Sequence, residues 1–319
     1  MHVRESRLRD ALRLLVWRPG RLVAGALPER ASFSLFEAAG ALHAMARPRR
    51  SAELAARMAA VPLDPAALRR AAAAYVKNHY ADRMHILLYP RVVARGRRPE
   101  WLALEGREHL ERALTAGRGA VVVHPHYAVP QLLPLALGLE GHRCLQVGLP
   151  SDEGLSAIGR DVAFRARLEL EALLPARILH ADGFLRDAFR HLAAGGVVLI
   201  TGDGTGGRRF RGRHVALPLL GRRVRLPVGP AKLALATGAP LLPAIVERAS
   251  VGRYVARIEA PLVPLPPGDA GAAGGDPALA LTSAFAAWLE ARLRADPAPW
   301  HFWDDWVEGN LLEANAEGA

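Results

Sequence analysis

The stretch VVVHPHYAVPQLLPLAL, residues 121–137, decides how the chain is read. A run of three valines has the β-branched, apolar character of a buried strand. His124 closes the run, Pro125 fixes a turn, His126 follows, and from about Val129 a second apolar segment reads as a helix. Strand running into helix is the repeating unit of a parallel α/β sheet, in which ligands gather at the carboxyl ends of the strands. Both histidines therefore stand where such a sheet keeps its chemistry. The next polar side chain is an amide, Gln131, where a base would want a carboxylate.

Moving outward, the same alternation continues through WLALEG, REHLERALTAG, GAVVVH, RCLQVGLP and GVVLI. HVALPLL, the helix PAKLALATG, PLLPAIVER and RYVARIEAPL are expected to complete the sheet, and LGRRVRLPVGP reads as a turn. Upstream, SFSLFEAAGALHAM, SAELAARMAAV and DPAALRRAAAAYVKNHYADRMHILLY read as helices, the last opening on Asp64 as N-cap with Pro65 behind it. PLPPGDAGAAGGDP reads as a loop, after which Asp276 and Pro277 start another helix. The expected fold is α/β: a mixed, largely parallel sheet flanked by helices. Residues 1–98 form a helical N-terminal portion and residues 99–319 the α/β domain with its C-terminal helices.

Composition limits the function classes. With 319 residues, 51% of them hydrophobic, the chain can bury a large core. Its one cysteine, Cys144, excludes an intramolecular disulfide and a Cys-Cys metal pair. A formal net charge of +11 calls for an anionic partner, nucleic acid or an acidic lipid surface. No nucleic-acid recognition motif or aromatic-studded basic strand accompanies it, which leaves no nucleic acid among the expected partners. No apolar run reaches the roughly 18 residues that span a bilayer, and no signal-type cleavage site follows the start. Instead, in ESRLRDALRLLVWRPGRLVAGAL (residues 5–27), Leu8, Ala11, Leu12, Leu15 and Val16 share a helical face crowded by Arg7, Arg9, Arg13, Arg18 and Arg21, with Arg4 just before it. That is the pattern of a helix lying in a membrane interface, or of an ordinary surface helix with solvated arginines.

Besides HPHYAVPQ, a glycine-rich loop, TGDGTGG (residues 201–207), follows a buried strand. Its backbone amides either approach an oxyanion or phosphate closely or simply make a turn; the loop has neither the Walker nor the dinucleotide register. Trp300, Trp303 and Trp306 recur at spacing three and either pack against the domain or meet an apolar ligand or bilayer.

The blocks come in a recognisable order. ALEGREHLERALTAGRGAVVVHPHYAVPQLLPLAL, then GVVLITGDGTGG, then LLGRRVRLPVGPAKLALATGAPLLPAIV, then PWHFWDDW together resemble the lysophospholipid acyltransferase superfamily, in particular its lipid A biosynthesis branch. The resemblance implies a glycerolipid acyltransferase-like fold. It sets His126 on the histidine of the family's His-x-x-x-x-Asp/Glu motif and Gln131 on its acid. It implies transfer of a fatty acyl group from a thioester of acyl carrier protein or coenzyme A to a hydroxyl of a lipid or glycolipid, at the cytoplasmic face of the inner membrane, with no metal or other cofactor. His126 then serves as general base, since neutral imidazole is well placed near pH 7 to take the alcohol's proton. Amides near Tyr127, or in the loop holding Gly204 and Thr205, would receive the oxyanion. Asp203, the acid of the second block, either supports His126, contacts the acceptor or caps its turn. Arg208 and Arg209 are candidate anion binders, or solvated surface charge. His124 either assists His126 or is a structural histidine bonded to a carbonyl. The missing acid at position 131 keeps open a second class, a non-catalytic or weakly active relative that binds lipid or acyl carrier protein.

Overall fold

The computed structural model describes residues 5–148, 152–180, 186–204, 212–264 and 275–313. Its strands are β1 (Leu102–Glu105), β2 (Ala120–His124), β3 (Cys144–Gly148), β4 (Arg177–His180), β5 (Val197–Thr201), β6 (His214–Leu219), β7 (Arg222–Pro227), β8 (Leu241–Ser250) and β9 (Arg253–Ile258). Seven of them form one sheet in the order β1-β9-β8-β2-β5-β3-β4. β2 pairs in parallel with β5 and β8, and β3 in parallel with β4 and β5, while β9 turns back antiparallel to β8 and carries β1 with it. The valine strand β2 is thus central, and all five of its residues are buried.

Contrary to expectation, HVALPLL does not join the main sheet, and LGRRVRLPVGP contains a strand where a turn was expected. β6 and β7 pair antiparallel as a separate ribbon, His214 opposite Pro227 and Leu219 opposite Arg222. Leu217, Leu219, Val224 and Leu226 are buried, so alternation along both segments places apolar residues on one face of a two-stranded ribbon.

The helical start is built as the capping signals predict. Asp64 accepts hydrogen bonds from the backbone N–H groups of Ala66 and Ala67, both at 2.8 Å, and the helix Pro65–Met84 follows. It then tightens into a 3-10 turn, His85–Leu88, so the long apolar segment is broken rather than continuous. Two attachments hold these helices to the rest. Arg248, on β8, reaches Glu37 at 3.1 Å and also Asp82, tying the helices Glu29–Ala46 and Pro65–Met84 to the sheet. Asp304, from the C-terminal segment, accepts from Arg50 at 2.7 Å and from the Tyr75 hydroxyl at 3.1 Å. Among the described residues no helix is long and apolar enough to cross a membrane.

Gly40 sets the spacing of the two long helices. A Cβ at this position would lie 1.8 Å from the Lys77 carbonyl oxygen, so the helix backbones touch and only glycine fits. Gly40→Ala is expected to push the helix Pro65–Met84 outward and destabilise the protein by about 1–3 kcal/mol, as overpacked cores do. Urea unfolding of the parent and variant measures the loss, and equal midpoints would refute the contact.

Candidate functional site

The site is built where β2 and β5 end side by side. His124 pairs in register with Thr201, and the Gly202 N–H donates to the His124 carbonyl at 2.9 Å, carrying the pairing one residue past the strands. Gly202 is required there, because a Cβ would meet the Phe285 ring at 2.5 Å and Val123 at 2.6 Å. This close approach delivers Asp203, fully buried, beneath the turn that follows β2.

Asp203 and His126 face one another. The imidazole Nδ1 and Asp203 Oδ1 are 2.8 Å apart, and the backbone N–H of His126 donates to Asp203 Oδ2 at 2.7 Å. The indole Nε1 of Trp300 donates to the same Oδ2 at 3.0 Å. Three donors thus converge on one carboxylate, the form of the side chain that only accepts. With Nδ1 committed as donor, the imidazole proton is fixed on that nitrogen and Nε2 presents its lone pair. Among the described residues Nε2 of His126 has no hydrogen-bond partner, and the side chain remains 30% accessible. Phe302 backs the ring at 4.7 Å between centroids. An imidazole held at one nitrogen by a buried carboxylate and open at the other is equipped to remove a proton from a bound hydroxyl.

The His126 turn is strapped to the C-terminal segment. His301 N–H donates to the His126 carbonyl at 2.9 Å, Ala128 N–H donates to the Pro299 carbonyl at 2.9 Å, and Tyr127 bridges Trp300. Ala128 is held at a φ of 46°, a strained value for a residue with a Cβ, which the strap on either side sustains. The Tyr127 side chain is buried and donates from its hydroxyl to the Asp296 carbonyl at 2.8 Å. Its backbone N–H has no acceptor among the described residues, as an oxyanion donor requires.

The remaining candidates divide. Gln131 lies at the start of the helix Leu132–Leu139, and its side chain makes no hydrogen bond to His126 or to the helix end. The left-handed Ala128 and the turn closed by Leu132 N–H to the Val129 carbonyl, 2.9 Å, carry the chain away from the imidazole. His124 is the structural histidine: buried, with Nδ1 3.3 Å from the Pro125 carbonyl and Nε2 3.4 Å from Gln146 Nε2. Burial first, then the neighbouring His126, pushes its pKa down to about 4. Gly204 is buried at a φ of 86°. Thr205, Arg208 and Arg209 lie outside the described residues. Trp300, Trp303 and Trp306 are all buried and pack on one another at 5.1 to 5.8 Å, so they line the core and not a bilayer contact. Trp300 and Phe302 are the site residues that sequence reasoning passed over. The signal available was chemical: a buried indole N–H needs an acceptor.

The model of a family described as bacterial lipid A biosynthesis acyltransferase matches residues 19–305 of the chain. No curated protein matches it.

The buried histidines make stability depend on acidity. His85 is also buried, and its burial lowers its pKa to about 3. A histidine whose folded pKa lies below its unfolded value is neutral in the native state, so the unfolded chain binds more protons as pH falls below about 6.5. Stability is therefore full above that pH and is lost progressively on the way down to about pH 3–4, by up to about 1.4 kcal/mol per pH unit for each such histidine. Urea unfolding at neutral pH and at about pH 4.5 should show this loss. His124→Asn should shrink the difference between the two pH values; an unchanged difference would contradict a neutral buried His124.

Proposed function

The chain belongs to the bacterial lipid A biosynthesis acyltransferase family, and from that premise we propose that it moves a fatty acyl group from an acyl thioester to a hydroxyl of a lipid or glycolipid at the cytoplasmic face of the cell membrane. The observation that carries the reading is the carboxylate–imidazole pair of Asp203 and His126. His126 Nε2 takes the hydroxyl proton as the oxygen attacks the thioester carbonyl carbon, and Asp203 stabilises the imidazolium that forms. The Tyr127 N–H receives the developing oxyanion. As the tetrahedral intermediate collapses, the carbon–sulfur bond breaks and the imidazolium returns its proton to the departing thiolate, releasing ester and thiol. The donor thioester belongs to acyl carrier protein or coenzyme A.

Against the alternative of a weakly active lipid-binding relative stands the supply of a carboxylate from the end of β5 in place of one at position 131. In the serine-protease triad, where a buried carboxylate supports an imidazole in the same way, changing the acid to its amide lowers turnover by about 10⁴. Acyl transfer from a radiolabelled thioester to a lipid extract is therefore expected to vanish in His126→Ala and to fall by several orders of magnitude in Asp203→Asn. Trp300→Phe removes one hydrogen bond to a charged group, about 1.5–3 kcal/mol, and should lower turnover roughly 10- to 100-fold. Gln131→Glu should bring little gain. A large gain in Gln131→Glu together with a harmless Asp203→Asn would overturn the assignment.

The membrane reading draws on an inverted helix. In Arg7–Leu15, polar residues face the protein: Arg13 pairs with Asp10 at 2.9 Å and with Glu5, and Ser156 donates to Asp10 at 2.6 Å. The leucines face out, Leu8 being 67% exposed, Leu15 59% and, in the next helix, Leu22 75%. An apolar face with arginines around it suits an anionic lipid surface, where the two kinds of group reinforce one another. Replacing Leu8, Leu12, Leu15 and Leu22 with serine should release the protein from phosphatidylglycerol vesicles in a sedimentation assay with little change in melting. Undiminished sedimentation would remove this helix as the anchor.

A further inference from the structure

A cavity of about 290 Å³ opens between the loop that precedes β1, the start of the helix Glu29–Ala46 and the turn joining β8 to β9. Its floor is rigid. Trp101 is buried and packs edge-on against Phe33, 5.1 Å between centroids, and its carbonyl accepts from the Tyr254 N–H at 2.8 Å. The turn is pressed onto the same Phe33 ring: Gly252 stands at a φ of 62°, and a Cβ there would lie 2.7 Å from the ring. That close approach sets Val251 and Arg253 on the cavity wall.

The lining is cationic. Arg30, Arg95, Arg97, Arg98 and Arg253 stand on it against the carboxylates of Glu29 and Glu100. Arg95 is paired with Glu29 at 2.6 Å, and Arg98 with Glu140, outside the cavity, at 2.8 Å. The other oxygen of Glu29 accepts from the Trp101 indole at 2.8 Å. Among the described residues no hydrogen bond or ion pair engages the guanidinium of Arg30, Arg97 or Arg253. The helix Glu29–Ala46 adds its partial positive end, which no side chain caps. Like charges held together around a hole gain by admitting an anion. The volume falls at the small end of ligand sites, roughly 300–1,000 Å³, and suits a phosphate carrying a small alcohol.

The surroundings are those of a lipid surface. Val251, on the wall, is exposed, and so is Leu22, six residues before Pro28. The helix Glu29–Ala46 leads away from Arg30 with Leu35, Leu42 and Met45 exposed on a common side, and Glu37, its only carboxylate or guanidinium between Arg30 and Arg47, is buried. An apolar stripe beside uncompensated arginines is the combination that anionic bilayers attract. β8 runs parallel to β2 and continues past it, from Leu241 opposite Val121 to Ser250, so its turn projects beyond the sheet edge that carries His126. We propose that this cavity binds the phosphate headgroup of an anionic phospholipid through Arg30, Arg97 and Arg253, holding that edge of the sheet on the bilayer. Guanidinium groups supply the paired donors that phosphate oxygens accept. The membrane-surface reading above supplies the source of the phosphate.

Partition of the full chain is measured by sedimentation with vesicles of phosphatidylcholine alone and of equal parts phosphatidylcholine and phosphatidylglycerol. The triple variant Arg30→Gln, Arg97→Gln, Arg253→Gln is expected to bind the mixed vesicles about 100-fold more weakly, each basic side chain at an anionic surface accounting for about fivefold. A control triple, Arg118→Gln, Arg143→Gln, Arg190→Gln, removes the same charge from the segments before β2, β3 and β5, at the opposite edge of the sheet, and should bind nearly as the parent does. Equal weakening by the two triples would reduce the effect to net charge and overturn the site. Calorimetry with monomeric dihexanoyl phosphatidylglycerol should show binding to the parent that the first triple abolishes. Inorganic phosphate binding as tightly as this lipid, with vesicle binding untouched by the triple, would make the cavity a free-anion site and overturn the lipid assignment. Acyl transfer to acceptor lipid in detergent micelles should survive the triple; its loss there would place the arginines in the substrate site and overturn the docking role. If the parent sediments with neither vesicle, the membrane reading falls and the soluble lipid decides the cavity: binding lost in the triple upholds it, and no binding overturns it. The three side chains are exposed, so thermal melts should match the parent's, and an unfolded triple leaves the single substitutions to decide by the same titration.

Discussion

Everything around His126 depends on one fully buried carboxylate. Asp203 has no water to solvate it and receives three N–H donors instead, two from His126 and one from Trp300. An unpaired buried charge would cost several kcal/mol, so each donor is held in place by the penalty for its removal. Because the donors come from the turn after β2 and from the segment after the last long helix, the same requirement joins distant parts of the chain. Asp203 fixes the imidazole twice, through its ring and through its backbone, which settles both where the base sits and which nitrogen it offers.

The surrounding architecture supplies rigidity to that point. β2 and β5 pair along their whole length, and glycine at 202 lets the chain pass between Phe285 and Val123. On the other side the strap of residues 299–301 holds the strained Ala128. Asp304 and Arg248 fasten the N-terminal helices to the C-terminal segment and to β8, so the helical portion and the sheet share an interior.

The central strand, its helix and the N-caps at Asp64 and Asp276 were legible because they rest on local rules: valine runs, period and capping chemistry. His126 and Asp203 were legible as strand-end groups. Their pairing stood as one of three roles open to Asp203, because the sequence does not say which strands are neighbours, and the resemblance set Gln131 on the acid of the His126 motif. The ribbon of β6 and β7 was misplaced for a related reason: alternation identifies a strand but not the sheet it joins. Trp300 was read for its apolar surface, while its decisive atom was the indole N–H. The inward turn of Arg13 at the N-terminus could not be read from periodicity either, because its partner Ser156 lies far along the chain.

The strap between residues 126–128 and 299–301 also bears on how the molecule comes into being. Domains tend to fold as the chain leaves the ribosome, N-terminal parts first. A nascent chain that has produced β2 and β5 holds His126 and Asp203, yet it lacks the indole donor and the backbone partners of the turn until Trp300 has followed. The base is therefore not fully mounted while the helices and most of the sheet are already emerging. The order of synthesis thus sets the last fixings of the imidazole after the two strands it stands between.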